Sequence, residues 1–292
     1  MYVPDIELHE ACTLEEAVAV MQRHRPGVRM LAGGTDLLVD LKTGRVRIDH
    51  VVSINRIEAL HGLSTNGDGL RIGSLTTIAQ LGASPIVKER FSPLLDATSK
   101  MANPQVRNTA TAGGNIVSAV PCADLPPILT AMNASLVLWS PAGEREVALE
   151  NFFVGPRETI LRDDEVLAAI LVPTPAVRFG AAYARFGLRG GNTVSVAAVA
   201  ASLLLDGKGN IEDARIVLGA VAPIPKLVEE VGAALVGQTP GEEAFRNAGE
   251  IAMAGAEPIS DVRGSSEYRR ELVGVLTERA LTTALQRAQE KR

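Results

Sequence analysis

Two paired-glycine segments, Ala32-Gly33-Gly34-Thr35-Asp36 and Thr111-Ala112-Gly113-Gly114-Asn115, constrain this chain of 292 residues more than anything else in it. Each sets two glycines beside a short polar side chain and next to an apolar run. Glycine permits φ > 0 and lets backbone N–H groups approach a ligand with no Cβ in the way. Successive N–H groups presented in this manner form a cradle for phosphate oxygens. Thr35, Thr111, Asn115 and Ser118 add hydroxyl and amide groups, each worth roughly 1.5–3 kcal/mol toward a charged oxygen. Neither segment reads GxGxxG or GxxxxGK[ST], which argues against the Rossmann and Walker nucleotide sites. Two such loops suit the pyrophosphate of a dinucleotide, and Asp124 follows close enough to accept from a ribose hydroxyl. Paired glycines also make ordinary turns, and the residues alone leave both readings open.

The flanking sequence places both loops in mixed α and β surroundings. Thr13-Leu14-Glu15-Glu16 is a capping box that opens a helix running to about His24, ended by Pro26-Gly27. Residues 28–31 read as a short strand feeding the first loop, and residues 37–41 start a helix with Asp40 inside it. Strands are expected at residues 50–54 and 70–72, and further helix starts at Thr77 and Ser92-Pro93. The second loop leads through Ser118 and Pro121 to Asp124 and an apolar helix ending near Met132. Ser140-Pro141-Ala142-Gly143 marks a hairpin containing Trp139, and Pro173 and Pro175 mark a boundary between residues 1–175 and 176–292. Beyond it, residues 193–205 and 211–221 flank Asp206-Gly207-Lys208-Gly209-Asn210 as an antiparallel hairpin. Helices follow, the last over residues 267–289 with Tyr268, Leu272, Val275, Leu276 and Arg279 on one face. Strict βαβ alternation is missing, so the fold class is α+β.

Composition removes several classes of function. With 29 Lys+Arg against 34 Asp+Glu and only 3% aromatic residues, the chain has neither the basic footprint nor the stacking platforms of a nucleic-acid binder. The longest apolar run, residues 194–205, falls short of the roughly 20 residues a membrane span needs and reads as a core strand. The N-terminus carries no secretory pattern, and a cytoplasmic protein is expected. Cys12 and Cys122 form no CxxC, and the four histidines fall singly with no ligand spacing. No metal of the chain's own is expected, so redox chemistry must come from an organic cofactor or a partner. Cys122 reads as a small filler rather than a redox thiol, Arg269 and Arg270 as a solvated face, and Asp163-Asp164-Glu165 as a helix start or solvated turn.

A set of longer motifs carries a resemblance. Ala32-Gly33-Gly34-Thr35-Asp36-Leu37-Leu38, Asn103-Pro104-Gln105-Val106-Arg107-Asn108, Thr111-Ala112-Gly113-Gly114-Asn115-Ile116 and Pro121-Cys122-Ala123-Asp124-Leu125-Pro126-Pro127 occur in this order. Gly219-Ala220-Val221-Ala222-Pro223 and Ser265-Ser266-Glu267-Tyr268-Arg269-Arg270 complete the series. The chain thereby resembles the FAD-binding medium subunit of the molybdenum hydroxylases, the xanthine dehydrogenase and carbon monoxide dehydrogenase family. The likeness runs over essentially the whole chain.

That resemblance implies a two-part FAD-binding domain of the vanillyl-alcohol-oxidase (PCMH) type, then a smaller α+β domain with a three-stranded antiparallel sheet and helices. It implies that Met30, Leu31, Ala32, Gly33, Gly34, Thr35, Asp36 and Leu37, with Thr111, Gly113, Gly114 and Asn115, wrap the FAD pyrophosphate. Ser118 and Asp124 fall at positions that contact the ribose or phosphate region, and Met101 and Leu167 at positions bordering the adenine. Arg185 is the cation nearest a position that usually carries a lysine by the flavin; Lys42 reads as a solvated helix lysine. Two departures stand out: Asn192-Thr193 stands where the family often has an Asp-hydrophobic or Asp-Tyr pair by the isoalloxazine, and a four-cysteine insertion for a [4Fe-4S] cluster is missing. The function implied is an electron-transfer flavoprotein, an oxidoreductase subunit with no catalytic acid or base of its own. Its partners would be a small [2Fe-2S] subunit and a large molybdopterin subunit, in a dimer of heterotrimers, with an external electron acceptor. The rivals are a free-standing FAD-dependent oxidoreductase and a cofactor-free scaffold subunit.

Overall fold

The computed structural model describes residues 4–290. Its first layer comprises β1 (Glu7–Glu10), α1 (Leu14–His24), β2 (Val28–Leu31), α2 (Leu37–Lys42) and β3 (His50–Ser53). The three strands form a parallel sheet in the order β1-β3-β2. Thr13 caps α1 as expected, its hydroxyl accepting from the Glu16 N–H. The reciprocal half of the box is displaced by one residue: the Glu16 carboxylate accepts from the N–H of Cys12, not of Thr13. Ala17, Val18 and Met21 bury one face of α1 against Val28 and Val52 of the sheet, so the period-3.6 apolar stripe does the packing.

The second layer holds a five-stranded antiparallel sheet in the order β4-β5-β10-β6-β7. Its strands are β4 (Leu63–Asn66), β5 (Gly69–Gly73), β6 (Ser135–Ser140), β7 (Gly143–Ala148) and β10 (Val166–Pro173). Between β5 and β6 run six short helices: α3 (Ile78–Ala83), α4 (Pro85–Arg90), α5 (Pro93–Lys100), α6 (Pro104–Thr109), α7 (Ala112–Val117) and α8 (Leu125–Ala131). A ribbon of β8 (Phe153–Gly155) and β9 (Glu158–Thr159) precedes β10. Proline stands in the first turn of α4, α5, α6 and α8, where its missing N–H removes no helical bond. Thr77 and Gln80 form a complete capping box on α3. Trp139 lies in the hairpin of β6 and β7, as expected. Glu165, by contrast, is not solvated: only 7% exposed, its carboxylate accepts from Arg145 Nε at 2.5 Å and from the Arg162 N–H at 2.8 Å. The hydrogen bond from Arg145 holds its pKa below the ordinary value against the opposing effect of burial.

The third layer is an antiparallel sheet in the order β11-β12-β13-β14, followed by helices. It contains β11 (Phe179–Phe186), β12 (Ala197–Leu205), β13 (Ile211–Gly219), β14 (Lys226–Leu227), α9 (Glu229–Leu235), α10 (Glu242–Gly255) and α11 (Ser266–Glu290). The three expected strands are there, and β14 adds a two-residue fourth. The continuous apolar run is β12. Ala198 and Ala200 pack into the core of the second layer, while Val199, Ala201 and Leu203 pack under α9, α10 and α11. A strand covered on both faces has no need of a polar alternation.

The face of α11 differs from expectation. Tyr268 and Val275 are 45% and 46% exposed, and the buried stripe is Val273, Leu276, Thr277, Ala280, Leu281, Ala284 and Ala288. Small side chains win because backbones approach closely there: a Cβ on Gly180 would fall 2.0 Å from the Ala284 carbonyl oxygen. Arg269 is buried too, donating to the Val196 and Ala220 carbonyls and to Asp261. Paired with a carboxylate and two carbonyls, a guanidinium can leave water. No helix among the described residues is long and apolar enough to cross a membrane.

Candidate cofactor-binding cleft

The first glycine segment links β2 to α2, and the second runs into α7; together they face a cleft of about 560 Å³. Met30, Leu31, Ala32, Gly33, Gly34, Thr35, Asp36, Leu37, Thr111, Gly113, Gly114, Asn115, Ser118 and Leu167 all line it. One end is apolar, walled by Met30, Ile54, Leu75, Leu161, Val166 and Leu167.

The two segments differ in what they offer. Among the described residues, the N–H groups of Gly33, Gly34, Thr35 and Asp36 find no acceptor in the chain. Buried or half-buried backbone donors without partners are uncommon, and a run of them on a cleft is suited to an anion. The backbone is held in this arrangement by glycine at two places. Gly34 has φ of 71°. A Cβ on Gly33 would stand 2.0 Å from the Thr109 carbonyl oxygen, because the loop is backed by the end of α6.

The second segment is not an N–H cradle. The N–H groups of Ala112 and Gly113 donate to Thr76 and Ser74 carbonyls at 2.9 and 2.8 Å. Those of Gly114 and Asn115 donate to the Thr111 hydroxyl and carbonyl, both at 3.0 Å. Thr111 is thus the N-cap of α7, and the segment is a capped helix start rather than a loop. What it gives the cleft is space and side-chain groups. A Cβ on Gly114 would meet only the Thr111 hydroxyl oxygen at 2.9 Å. The Asn115 Oδ1 accepts from the Leu125 N–H at 3.3 Å, which leaves its Nδ2 to donate.

Groups not picked out in the sequence complete the lining. Ser74 Oγ is buried on the cleft and has no hydrogen-bond partner, a cost of about 1–3 kcal/mol unless something fills it. Four guanidinium groups border the cleft. Arg25 pairs with Asp163, Arg157 with Asp40 at 2.6 Å, and Arg162 lies 3.9 Å from Glu165. Arg29 donates only to the Pro26 and Val28 carbonyls, leaving its charge without a carboxylate partner among the described residues. Nothing in the local sequence sets Arg29 or Ser74 apart from other surface arginines and serines; the fold alone carries them to the cleft.

Three residues expected at the cofactor, Met101, Asp124 and Arg185, are not among those that line this cleft. Met101 is packed in the core of the second layer, 6% exposed. Asp124 is 6% exposed and joins that layer to the C-terminal sheet. Its carboxylate accepts from the Tyr183 and Ser195 hydroxyls, both at 2.7 Å, and from Arg185 at 2.8 Å. A buried carboxylate needs such partners, and the pairing with Arg185 neutralises both charges together. Burial, reinforced by the Asp124 charge, pushes the Tyr183 hydroxyl well above its usual pKa. Burial and Asp124 also push up the Cys122 thiol, the opposite of what a reactive cysteine needs. Asn192 donates from its backbone to Ala102 and has φ of 46°, and the Thr193 carbonyl accepts from Arg185.

A cleft with a free N–H run, an unpaired cation, an orphaned hydroxyl and an apolar end defines a protein that binds a phosphorylated, ring-bearing cofactor. Residues 4–175 match the FAD binding domain in molybdopterin dehydrogenase, and residues 181–284 match the CO dehydrogenase flavoprotein C-terminal domain. The chain belongs to this family of FAD-binding medium subunits of molybdenum-containing dehydrogenases and is an oxidoreductase flavoprotein subunit. It is 34% identical to the carbon monoxide dehydrogenase medium chain of Hydrogenophaga pseudoflava, over 97% of this chain and 98% of that one. It is 32% identical to the xanthine dehydrogenase FAD-binding subunit of Escherichia coli O157:H7, over 95% of each. Its fold matches the solved carbon monoxide dehydrogenase of H. pseudoflava with a TM-score of 0.95 at 35% identity, covering 98% of this chain and 99% of that one. It matches quinoline 2-oxidoreductase from Pseudomonas putida 86 with a TM-score of 0.92 at 29% identity, covering 99% of each.

Proposed function

We propose that the chain relays electrons: it holds FAD in the cleft between the two glycine segments, receives electrons from [2Fe-2S] clusters of a small partner, and delivers them to an external acceptor. The observation that carries this is the run of unpartnered N–H groups from Gly33 to Asp36 facing a cleft with an apolar end. The N–H run and Arg29 hold the pyrophosphate. Ser74 and Asn115 add side-chain hydrogen bonds, and Gly114 keeps the approach open. Met30, Ile54, Leu75 and Leu167 take a flat ring of the cofactor. FAD, once bound, supplies the redox chemistry itself, and the chain's residues position it and exclude water. What supports an electron relay over a free-standing oxidoreductase is the likeness over nearly the whole chain to medium chains of multi-subunit dehydrogenases. Substrate chemistry would then belong to a molybdopterin-bearing large partner, and the assembly would be a dimer of heterotrimers. Residues 1–175 and 176–292 form the cofactor and C-terminal domains, a division supported by family matches that end at 175 and resume at 181.

The test is rapid mixing of substrate with the co-expressed complex and, separately, with the isolated chain. Bleaching of flavin absorbance in the complex alone supports the relay. Equal bleaching in the isolated chain would favour the free-standing enzyme, and a complex assembled without flavin would favour the scaffold.

A further inference from the structure

Three of the four histidines, far apart in sequence, meet in space. His9 lies on β1, His50 begins β3, and His24 ends α1. In the parallel ladder Glu7 is the register partner of His50, and His9, two residues on from Glu7, returns to the same face of the sheet. His24 closes on that face from above. The His24 and His50 rings stand 3.8 Å apart between centroids, and the His9 ring is 5.0 Å from His24 and 5.4 Å from His50. One nitrogen from each ring falls within 4.8 Å of the others. All three rings are half-buried. The Glu7 carboxylate lies alongside, with one oxygen 3.4 Å from His50 Nδ1 and the other 3.8 Å from His9 Nε2.

We propose that His9, His24, His50 and Glu7 form a binding site for a divalent transition-metal ion of the zinc class, outside the cofactor cleft. Imidazole nitrogens and a carboxylate oxygen are the donor set that zinc-class ions favour. Tetrahedral coordination with metal–nitrogen bonds of about 2.0–2.1 Å sets neighbouring donors about 3.3 Å apart. His9 Nε2 and His50 Nδ1 already stand at 3.2 Å, and one Glu7 oxygen lies 3.4 Å from His50 Nδ1. A hydrogen bond between two neutral imidazoles accounts for the 3.2 Å alone, but not for a third ring and a carboxylate gathered at the same place. The ion would tie β1, β3 and the end of α1 together. The sheet it pins also contains β2, which leads directly into the first glycine segment, so the site would steady the cofactor cradle without touching it.

The test uses the purified full chain after chelator treatment, titrated with zinc chloride by calorimetry and with cobalt chloride by visible absorption. One zinc per chain, with a tetrahedral cobalt spectrum and a raised melting temperature, is expected. His9→Ala and His24→Ala should each weaken zinc binding by more than the roughly 10–100-fold typical of losing a supporting partner. His61→Ala and Cys12→Ser, both outside the cluster, should leave it unchanged. Circular dichroism of each variant confirms folding independently of the metal. The proposal is overturned if zinc fails to bind stoichiometrically, if binding survives both His9→Ala and His24→Ala, or if Cys12→Ser alone abolishes it.

Discussion

At the scale of single residues, Gly33 and Gly114 occupy similar motifs and do different work. A Cβ at Gly33 runs into the rigid Thr109 carbonyl, whereas one at Gly114 meets only a hydroxyl and the cleft. Gly33→Ala should therefore destabilise the fold by at least about 1–3 kcal/mol, the usual cost of forcing atoms into a packed site, seen as a lower denaturation midpoint. Gly114→Val should keep the apoprotein folded and weaken FAD binding by at least about 10-fold, or ~1.4 kcal/mol, measured by fluorescence titration. A Gly114→Val protein with full flavin occupancy would remove Gly114 from the cofactor's path. The glycines and their short polar neighbours were legible in sequence because their chemistry is local. Arg29, Ser74 and the three histidines were not, since their roles exist only once distant segments meet. The bonds Asp124 makes were hidden for the same reason: its nine-residue distance from Asn115 says nothing of the Arg185 and Tyr183 that β11 brings to it. Removing it strands a guanidinium that is 5% exposed. Asp124→Ala should cost about 3–5 kcal/mol in unfolding free energy. Near-neutral stability of that variant would contradict the account of the seam.

Among the elements, helix starts were the most legible, because caps are written in adjacent residues. Thr77 with Gln80 forms the capping box its sequence spells, and Pro93 opens α5 where expected, although the Ser92 side chain makes no cap hydrogen bond. The face of α11 was not legible, because large apolar residues mark a core only where neighbours leave room for them. Its N-terminal turn depends on a hook at Asp261, which is bonded to the Arg263 N–H and to the side chains of Arg269 and Arg263. The Arg263 N–H and these guanidinium groups hold the Asp261 pKa at about 2 against its usual 3.8, outweighing burial. A depressed carboxylate stabilises the fold fully above its unfolded pKa, and loses that contribution as pH falls toward the folded one. Stability should decline between about pH 3.8 and about 2 through this group. Asp261→Asn should flatten that part of the profile, read as denaturant midpoint against pH; parallel profiles would show that the hook contributes nothing.

For the whole molecule, the motifs that mark the family divide into two jobs. The glycine segments line the cleft, and Thr109, the residue just past the Asn103–Asn108 stretch, backs the first from behind. The others build the seam between layers: the Ala220 N–H donates to the Pro121 carbonyl, a Cβ on Gly219 would stand 2.8 Å from Pro127, and Arg269 holds the Ala220 carbonyl. Arg287 adds a bidentate pair to Asp96 at 2.7 and 2.9 Å across the same seam. Sequence order alone displayed these motifs as one series, and the fold separates cofactor contact from domain joining. Arg287→Ala should lower the melting temperature while leaving FAD affinity in the folded protein within about two-fold, since neither Asp96 nor Arg287 lines the cleft. The central claim is that this cleft holds FAD, and the most direct measurement is the flavin-to-chain ratio of the purified protein, with the acid-released flavin identified by chromatography. One FAD per chain in the wild type, and little in Gly114→Val, is the predicted result. A chain that carries no flavin, even after incubation with FAD alongside its partner subunits, would contradict it.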